Sequence, residues 1–264
     1  MRAKIIVVTH KDYDMPHDPI YLPVCVGDSC AHLSHKFQPD NTGENISHLN
    51  KTYCELTAIY WAWKNLRLSD YDYIGLAHYR RHFSLRRKSS ELNKAITQTE
   101  LSALVGSTLP GTVFTTPKRN YLTSIANHYV CSRLAYRDVH KDDVQHLYNA
   151  ISVLAPEYLD AARRVLNGNR AHMMNMFIMP SESFEAYCGW LFPIIDHTVQ
   201  NSGDRPDQNR YAGALGEFCL DIWLTHNQIP IKELELLQTE SVPVIKKSIV
   251  AMRRMCCTRS LRRR

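Results

Sequence analysis

Lys4 to Asp12 reads KIIVVTHKD. Four β-branched apolar residues, Ile5 to Val8, run directly into the polar cluster Thr9, His10, Lys11 and Asp12. A run this short, stopped this abruptly, reads as a strand buried on both faces that opens into a loop. The pattern returns at Tyr71 to His82, YDYIGLAHYRRH, where an apolar strand ending at His78 meets Tyr79, Arg80 and Arg81. Strands buried on both faces belong to parallel sheets covered by helices, so the two junctions together imply an α/β fold.

The segments between and beyond these junctions agree with that order. Pro16, Pro19 and Pro23 keep the chain extended after the first strand, and Pro39, Asp40, Asn41 and Gly43 supply turn chemistry before a helix from His48 to Leu66 that Ser47 is expected to cap. Helices follow at Glu91 to Val105, at Asp138 to Leu166 with an interruption near Pro156, from Ser181 through Phe192, and at Tyr211 to Thr225. Strands are expected at Gly111 to Thr116 and Asn175 to Met179. The alternation predicts a mostly parallel central sheet flanked by helices, in one domain over 1–245 followed by a basic tail over 246–264.

Composition excludes several classes. Over 264 residues, 44% hydrophobic and 22% charged content is that of a folded chain and excludes wholesale disorder, a collagen-like fibre or a coiled coil. No apolar run reaches the roughly 18 residues of a membrane span, and the start does not read as a signal peptide. Of the 32 Lys and Arg, eight fall in 246–264 (Lys246, Lys247, Arg253, Arg254, Arg259, Arg262, Arg263 and Arg264) with no acidic residue among them. The other 245 residues therefore hold 24 basic against 26 acidic groups, which argues against a nucleic-acid-binding domain. Drawn as a helix, the tail is a basic amphipathic element suited to an anionic membrane surface. The eight cysteines include Cys54, Cys188 and Cys219 in apolar helical patterns, which suits free thiols in a reducing compartment. Cys25, Cys30, His32 and His35 have short zinc-like spacing but no second half, and a plain loop is the preferred reading.

In open parallel sheets, ligands bind beyond the carboxyl ends of the strands. Thr9, His10 and Lys11 stand there after the first strand, and His78, Tyr79, Arg80 and Arg81 after the second. Lys and Arg at such positions suit an anion such as phosphate. The chain has neither a G-x-G-x-x-G nor a G-x-x-x-x-G-K-[ST] phosphate loop, no G-x-S-x-G elbow, and no H-E-x-x-H metal helix.

Three longer segments, DNTGENISHLNKTYCELTAIYWAWKN (Asp40 to Asn65), YIGLAHYRRHF (Tyr73 to Phe83) and HMMNMFIMPSESFEAYCGWLF (His172 to Phe192), closely resemble a family of bacterial polysaccharide glycosyltransferases that includes galactofuranosyltransferases. The resemblance implies a GT-A type, Rossmann-like fold and a nucleotide-activated sugar, of which a UDP-sugar is the expected form. It places Thr9, His10 and Lys11 by the nucleotide, and Asp40, Asn41, Gly43, Asn45 and Asn50 in a loop near the diphosphate or sugar. Asn175 would approach the donor sugar, and Glu217 would be the carboxylate before the last core helix. His78, Tyr79, Arg80 and Arg81 stand where many such enzymes put a metal-binding aspartate pair, leaving Mg²⁺ or Mn²⁺ an open question. The implied activity is inverting transfer to a lipid-linked surface glycan, with Glu217 as base and Asp40 in reserve, by an enzyme peripheral at the inner face of the cytoplasmic membrane. The alternative is a noncatalytic sugar-nucleotide or glycan-binding module.

Overall fold

The computed structural model describes residues 1–87, 90–135, 142–203 and 210–240, so the basic tail lies outside the described residues. In chain order the elements are β1 (Ala3–Thr9), β2 (Tyr21–Cys25), α1 (Cys30–Leu33), β3 (Gln38–Pro39), α2 (Asn50–Tyr53), α3 (Leu56–Asn65), β4 (Tyr73–His78), β5 (Arg81–Ser84), α4 (Gln98–Gly106), β6 (Val113–Thr115) and β7 (Arg119–Asn120). They continue as α5 (Ile125–Ala135), α6 (Asp143–Leu154), α7 (Leu159–Asn167), β8 (Arg170–Ala171), β9 (Phe177–Pro180), α8 (Ser181–Gln200), α9 (Tyr211–His226), β10 (Ile231–Glu233) and β11 (Glu235–Gln238).

The main sheet has the order β10-β6-β9-β4-β1-β2-β3, with β5 and β11 extending from β4. Along that path β1 pairs parallel with β2 and β4, β2 with β3, and β6 with β10. β9 runs antiparallel to both of its neighbours, β4 and β6. The sheet is thus mostly parallel, as the apolar runs of β1 and β4 require, because both bury side chains on two faces. Alternation along β1 divides the core: Ile6 and Val8 join one cluster with Leu56 of α3, Leu191 of α8 and Phe218 of α9. Ile5 and Val7 join a second with Phe83 of β5, Leu101 of α4 and Leu237 of β11. Gly75 of β4 permits the close antiparallel seat of β9, since a Cβ there would stand 3.0 Å from both Ile178 Cγ1 and the Phe177 carbonyl oxygen.

Several expected elements are corrected. The helix from His48 to Leu66 is broken at Cys54, whose φ is 53°. The Asn50 amide causes the break by donating to the Cys54 carbonyl at 2.8 Å and to Thr57 Oγ1 at 3.0 Å. Ser47 does not cap; its hydroxyl donates to Asp40. The helix expected from Glu91 begins at Gln98, where Thr97 and Glu100 form a reciprocal capping box. The helix after Pro180 continues through Pro193 to Gln200, and Ser181 is its first residue, with a hydroxyl that donates to the Tyr71 carbonyl. No helix among the described residues is long and apolar enough to cross a membrane.

Candidate active site

Because β1, β2 and β4 are parallel, their carboxyl ends open on one side of the sheet. A cavity of about 470 Å³ lies there. Val8 and His10 line it from β1 and the residue after it, Val26 and Asp28 from the turn after β2, and His78 from the end of β4. Asn50 and Lys51 close it from the start of α2, Cys54 and Glu55 from the break between α2 and α3, and Arg210 from the residue before α9. Gly27 holds the turn against α2: its φ is +56°, and a Cβ would lie 2.7 Å from the Cβ of Asn50.

The expected residues divide into three groups. His10, Asn50 and His78 line the cavity. Tyr79 is buried outside the lining, packed edge-on against His10 at 5.2 Å and Tyr13 at 5.1 Å. Thr9 is buried and closes the turn after β1, its hydroxyl donating to the Lys11 carbonyl at 2.6 Å and accepting from the Lys11 amide at 3.1 Å. Behind the cavity floor, Asn175 donates to Glu55 Oε1 at 2.8 Å. The rest lie elsewhere. The Lys11 and Asn41 side chains are exposed, and the Asn45 amide bonds within its own loop. Arg80 pairs with Glu240 at 3.3 Å. Asp40 is fully buried and absent from the lining; Oδ1 of its carboxylate accepts from the Ser47 hydroxyl, the Gly27 amide and the Cys30 thiol, which makes it the anchor of the turn that Gly27 begins.

Electrostatics sharpen the picture. Burial, followed by the negative charge of Glu55, pushes the Glu217 carboxyl up to about 7, against a backbone hydrogen bond from Met174 and the charges of Arg119 and Arg81. Burial holds His78 below the ordinary imidazole range, and His78 Nε2 donates to the Met174 carbonyl at 2.7 Å. His10 is lowered by burial and by Lys11, Arg210 and Arg80. Arg81 is lowered by burial and by Arg80 and Arg119. Arg210, Lys51, His10 and His78 thus share the cavity with the carboxyl groups of Asp28 and Glu55, while Glu217 and Arg81 stand outside its lining.

Backbone strain converges on the same place. Cys54, Met174, Asn175 and Arg210 all have φ between 51° and 83° without being glycine. Cys54 and Arg210 line the cavity, while Met174 and Asn175 hold its floor residues. Conformations of this kind cost on the order of 1–3 kcal/mol each and gather at functional sites.

Mg²⁺ or Mn²⁺ requires converging oxygen ligands. Among the described residues no group of three His, Cys, Asp or Glu side chains stands close enough to hold a metal ion. In the cavity, Glu55 is engaged by Asn175 and Asp28 faces Lys51 at 3.7 Å. The described residues do not fit a carboxylate-held metal, and the zinc spacing fails likewise, with Cys30 Sγ donating to the Cys25 carbonyl at 3.1 Å and His32 and His35 exposed. A larger cleft, about 690 Å³, lies across Tyr13, but its Lys36 is already paired with Asp12.

A family profile described as a domain of unknown function, DUF4422, matches residues 4–228. The chain belongs to this family. The match takes in every cavity residue of the DUF4422 domain and stops short of β10 and β11. Among solved structures, the apo form of the WbbM bifunctional glycosyltransferase is similar at 25% identity with a TM-score of 0.77, over 92% of this chain and 48% of that one. The chain thus spans about half the length of that protein, and the DUF4422 domain has a glycosyltransferase Rossmann-like fold. A comparison with curated proteins found no match.

Within the DUF4422 domain, Glu55, Lys51 and Arg210 are the cavity residues that the strand-end rule misses. They enter from α2, from the helix break after it and from the residue preceding α9, where local sequence carries no strand junction. The signal for Glu55 lay in the CELTAIYW segment, in which a lone carboxylate interrupts a helical apolar pattern.

Proposed function

We propose that this chain is a glycosyltransferase that moves one sugar from a nucleotide donor, a UDP-sugar, to a lipid-linked glycan in bacterial surface-polysaccharide synthesis. The observation that carries the reading is a cavity at the strand ends that gathers Arg210, Lys51 and His10 beside Glu55, whose charge acts on Glu217, on a fold similar to that of a bifunctional glycosyltransferase. Arg210, Lys51 and His10 meet the donor diphosphate, with Arg81 beside them. Guanidinium groups supply charge and directed hydrogen bonds to the leaving group as the glycosidic bond breaks. Glu217 accepts the proton of the acceptor hydroxyl as its oxygen attacks the anomeric carbon, and this single displacement inverts the centre. Galactofuranose is the sugar that the sequence resemblance favours. The basic tail, Lys246 to Arg264, keeps the enzyme at the anionic inner face of the cytoplasmic membrane, where the acceptor lies.

The test is UDP binding by calorimetry together with UDP release from a panel of UDP-sugars. Saturable UDP binding with release from at least one donor supports the reading. Binding without turnover of any donor, in the presence of lipid-linked acceptor, would instead support the noncatalytic binding module.

A further inference from the structure

Glu55 lines the cavity, as does Asp28, and three features fix the Glu55 side chain there. Its Oε1 accepts from Asn175 at 2.8 Å. It directly precedes α3, where the helix dipole favours negative charge. Its charge also acts on Arg210, a cation that lines the same cavity. Glu217 lies deeper, on the first turns of α9, beside Arg81 of β5 and Arg119 of β7, with Arg210 also acting on it. Met174 and Asn175 tie the carboxyl groups together, because the Met174 backbone bonds to Glu217 and to His78 while the Asn175 side chain holds Glu55. Both residues sit at positive φ, 83° and 51°, so the connection is held by strained backbone with little freedom to relax.

We propose that Glu55 and Glu217 act as one carboxyl pair, in which Glu55 is the fixed, cavity-facing anion that positions and tunes Glu217, and Glu217 takes the proton of the attacking hydroxyl. This rests on the transferase reading above. In the step, the acceptor O–H bond breaks and its proton goes to the Glu217 carboxylate. The acceptor oxygen forms its bond to the anomeric carbon, and the bond from that carbon to the diphosphate breaks with its electron pair on the departing nucleotide. Two carboxylates in one poorly solvated site do not both ionise freely. Burial and the neighbouring Glu55 charge favour the protonated form of Glu217. Glu55 is a positioning residue, and its removal changes the pH at which Glu217 works as well as the rate.

Carboxyl-carbon NMR of the full chain, labelled at glutamate and titrated from acid to alkaline pH, reads the pair without any substrate. The Glu217 midpoint is expected near 7 in the wild type and lower by about half a unit or more in E55Q. E55D, which keeps the charge, is expected to stay close to the wild type. The midpoint of the pH–rate profile for sugar transfer should move in parallel. An unmoved Glu217 midpoint in folded E55Q would overturn the pair. Should E55Q fail to fold, the wild type still decides: a second inflection of the Glu55 signal at the Glu217 midpoint supports the pair, and its absence overturns it. A moved midpoint in a chain that turns over no donor would support the pair while overturning the transferase reading. Turnover with an unmoved midpoint would do the reverse.

Discussion

Glu217, the proposed base, illustrates how burial and a neighbouring charge raise a carboxyl group. A carboxyl group raised to about 7 must lose its proton before it can act as a base, so transfer should rise with pH and level off above that value. Glu217→Gln keeps the shape and removes the base: transfer is expected to fall by roughly 10²- to 10⁴-fold with UDP affinity retained, measured by steady-state kinetics and calorimetry. Near-normal turnover by that variant would reject the assignment. His82 shows the opposite titration. Buried behind the site, it is pushed down to about 4, so the unfolded chain takes up a proton near pH 6.5 that the native chain refuses until pH 4. Stability from this group is therefore full above pH 6.5 and falls as pH drops toward 4, by on the order of 3 kcal/mol. Glu217 acts in the other sense, gaining stability as pH falls from 7. Each slope is best read as a difference between the wild type and its own variant in urea unfolding at pH 7 and pH 5. The His82→Gln chain should lose less stability on acidification than the wild type, and equal losses would contradict the burial argument. At this scale the sequence was informative where a strand ends, at His10 and His78, and silent on Arg210 and Glu55, because neither follows a strand and their meeting depends on how α3 and α9 pack.

At the level of elements, the break between α2 and α3 does more for the site than either helix. It delivers Cys54 and Glu55 to the cavity beside Asn50 and Lys51 of α2, and it depends on the Asn50 amide and on Gly27. Gly27→Ala would set a side chain at φ +56° and press it onto Asn50, an expected cost of roughly 1–3 kcal/mol with weaker UDP binding. An unchanged urea midpoint together with unchanged UDP affinity would show that the turn has no such role. The break was illegible because Leu49, Tyr53, Leu56, Ile59 and Tyr60 keep helical spacing across it, and periodicity reports which face is buried without reporting a single residue in the left-handed region. β2 was hidden for a different reason. Pro23 cannot donate to a ladder, yet β3 pairs with β2 only at Val24 and Cys25, so Pro23 pairs with β1 alone. β1 and β4 were legible because burial on both faces leaves an unbroken apolar run.

Taken whole, the molecule gathers Arg210, Lys51 and His10 at the cavity, and among the described residues no group of three His, Cys, Asp or Glu side chains stands close enough to hold a metal ion. Activity is therefore expected to persist in EDTA, and loss in EDTA restored by Mn²⁺ would contradict this electrostatic account. The tail adds a second expectation. Each Lys or Arg near an anionic leaflet contributes on the order of 1 kcal/mol, so the full chain should sediment with anionic liposomes and a chain ending at Ile245 should not. Equal sedimentation of both would remove the membrane role. The central claim, that this cavity takes a nucleotide sugar and transfers its sugar, is tested most directly by following UDP release and glycan extension together, with wild type and E217Q side by side, on lipid-linked acceptor and a panel of UDP-sugars. The account expects the wild type to release UDP in step with extension from at least one donor, while E217Q binds UDP and does neither. Extension at equal rates by both proteins, or no UDP binding by either, would contradict it.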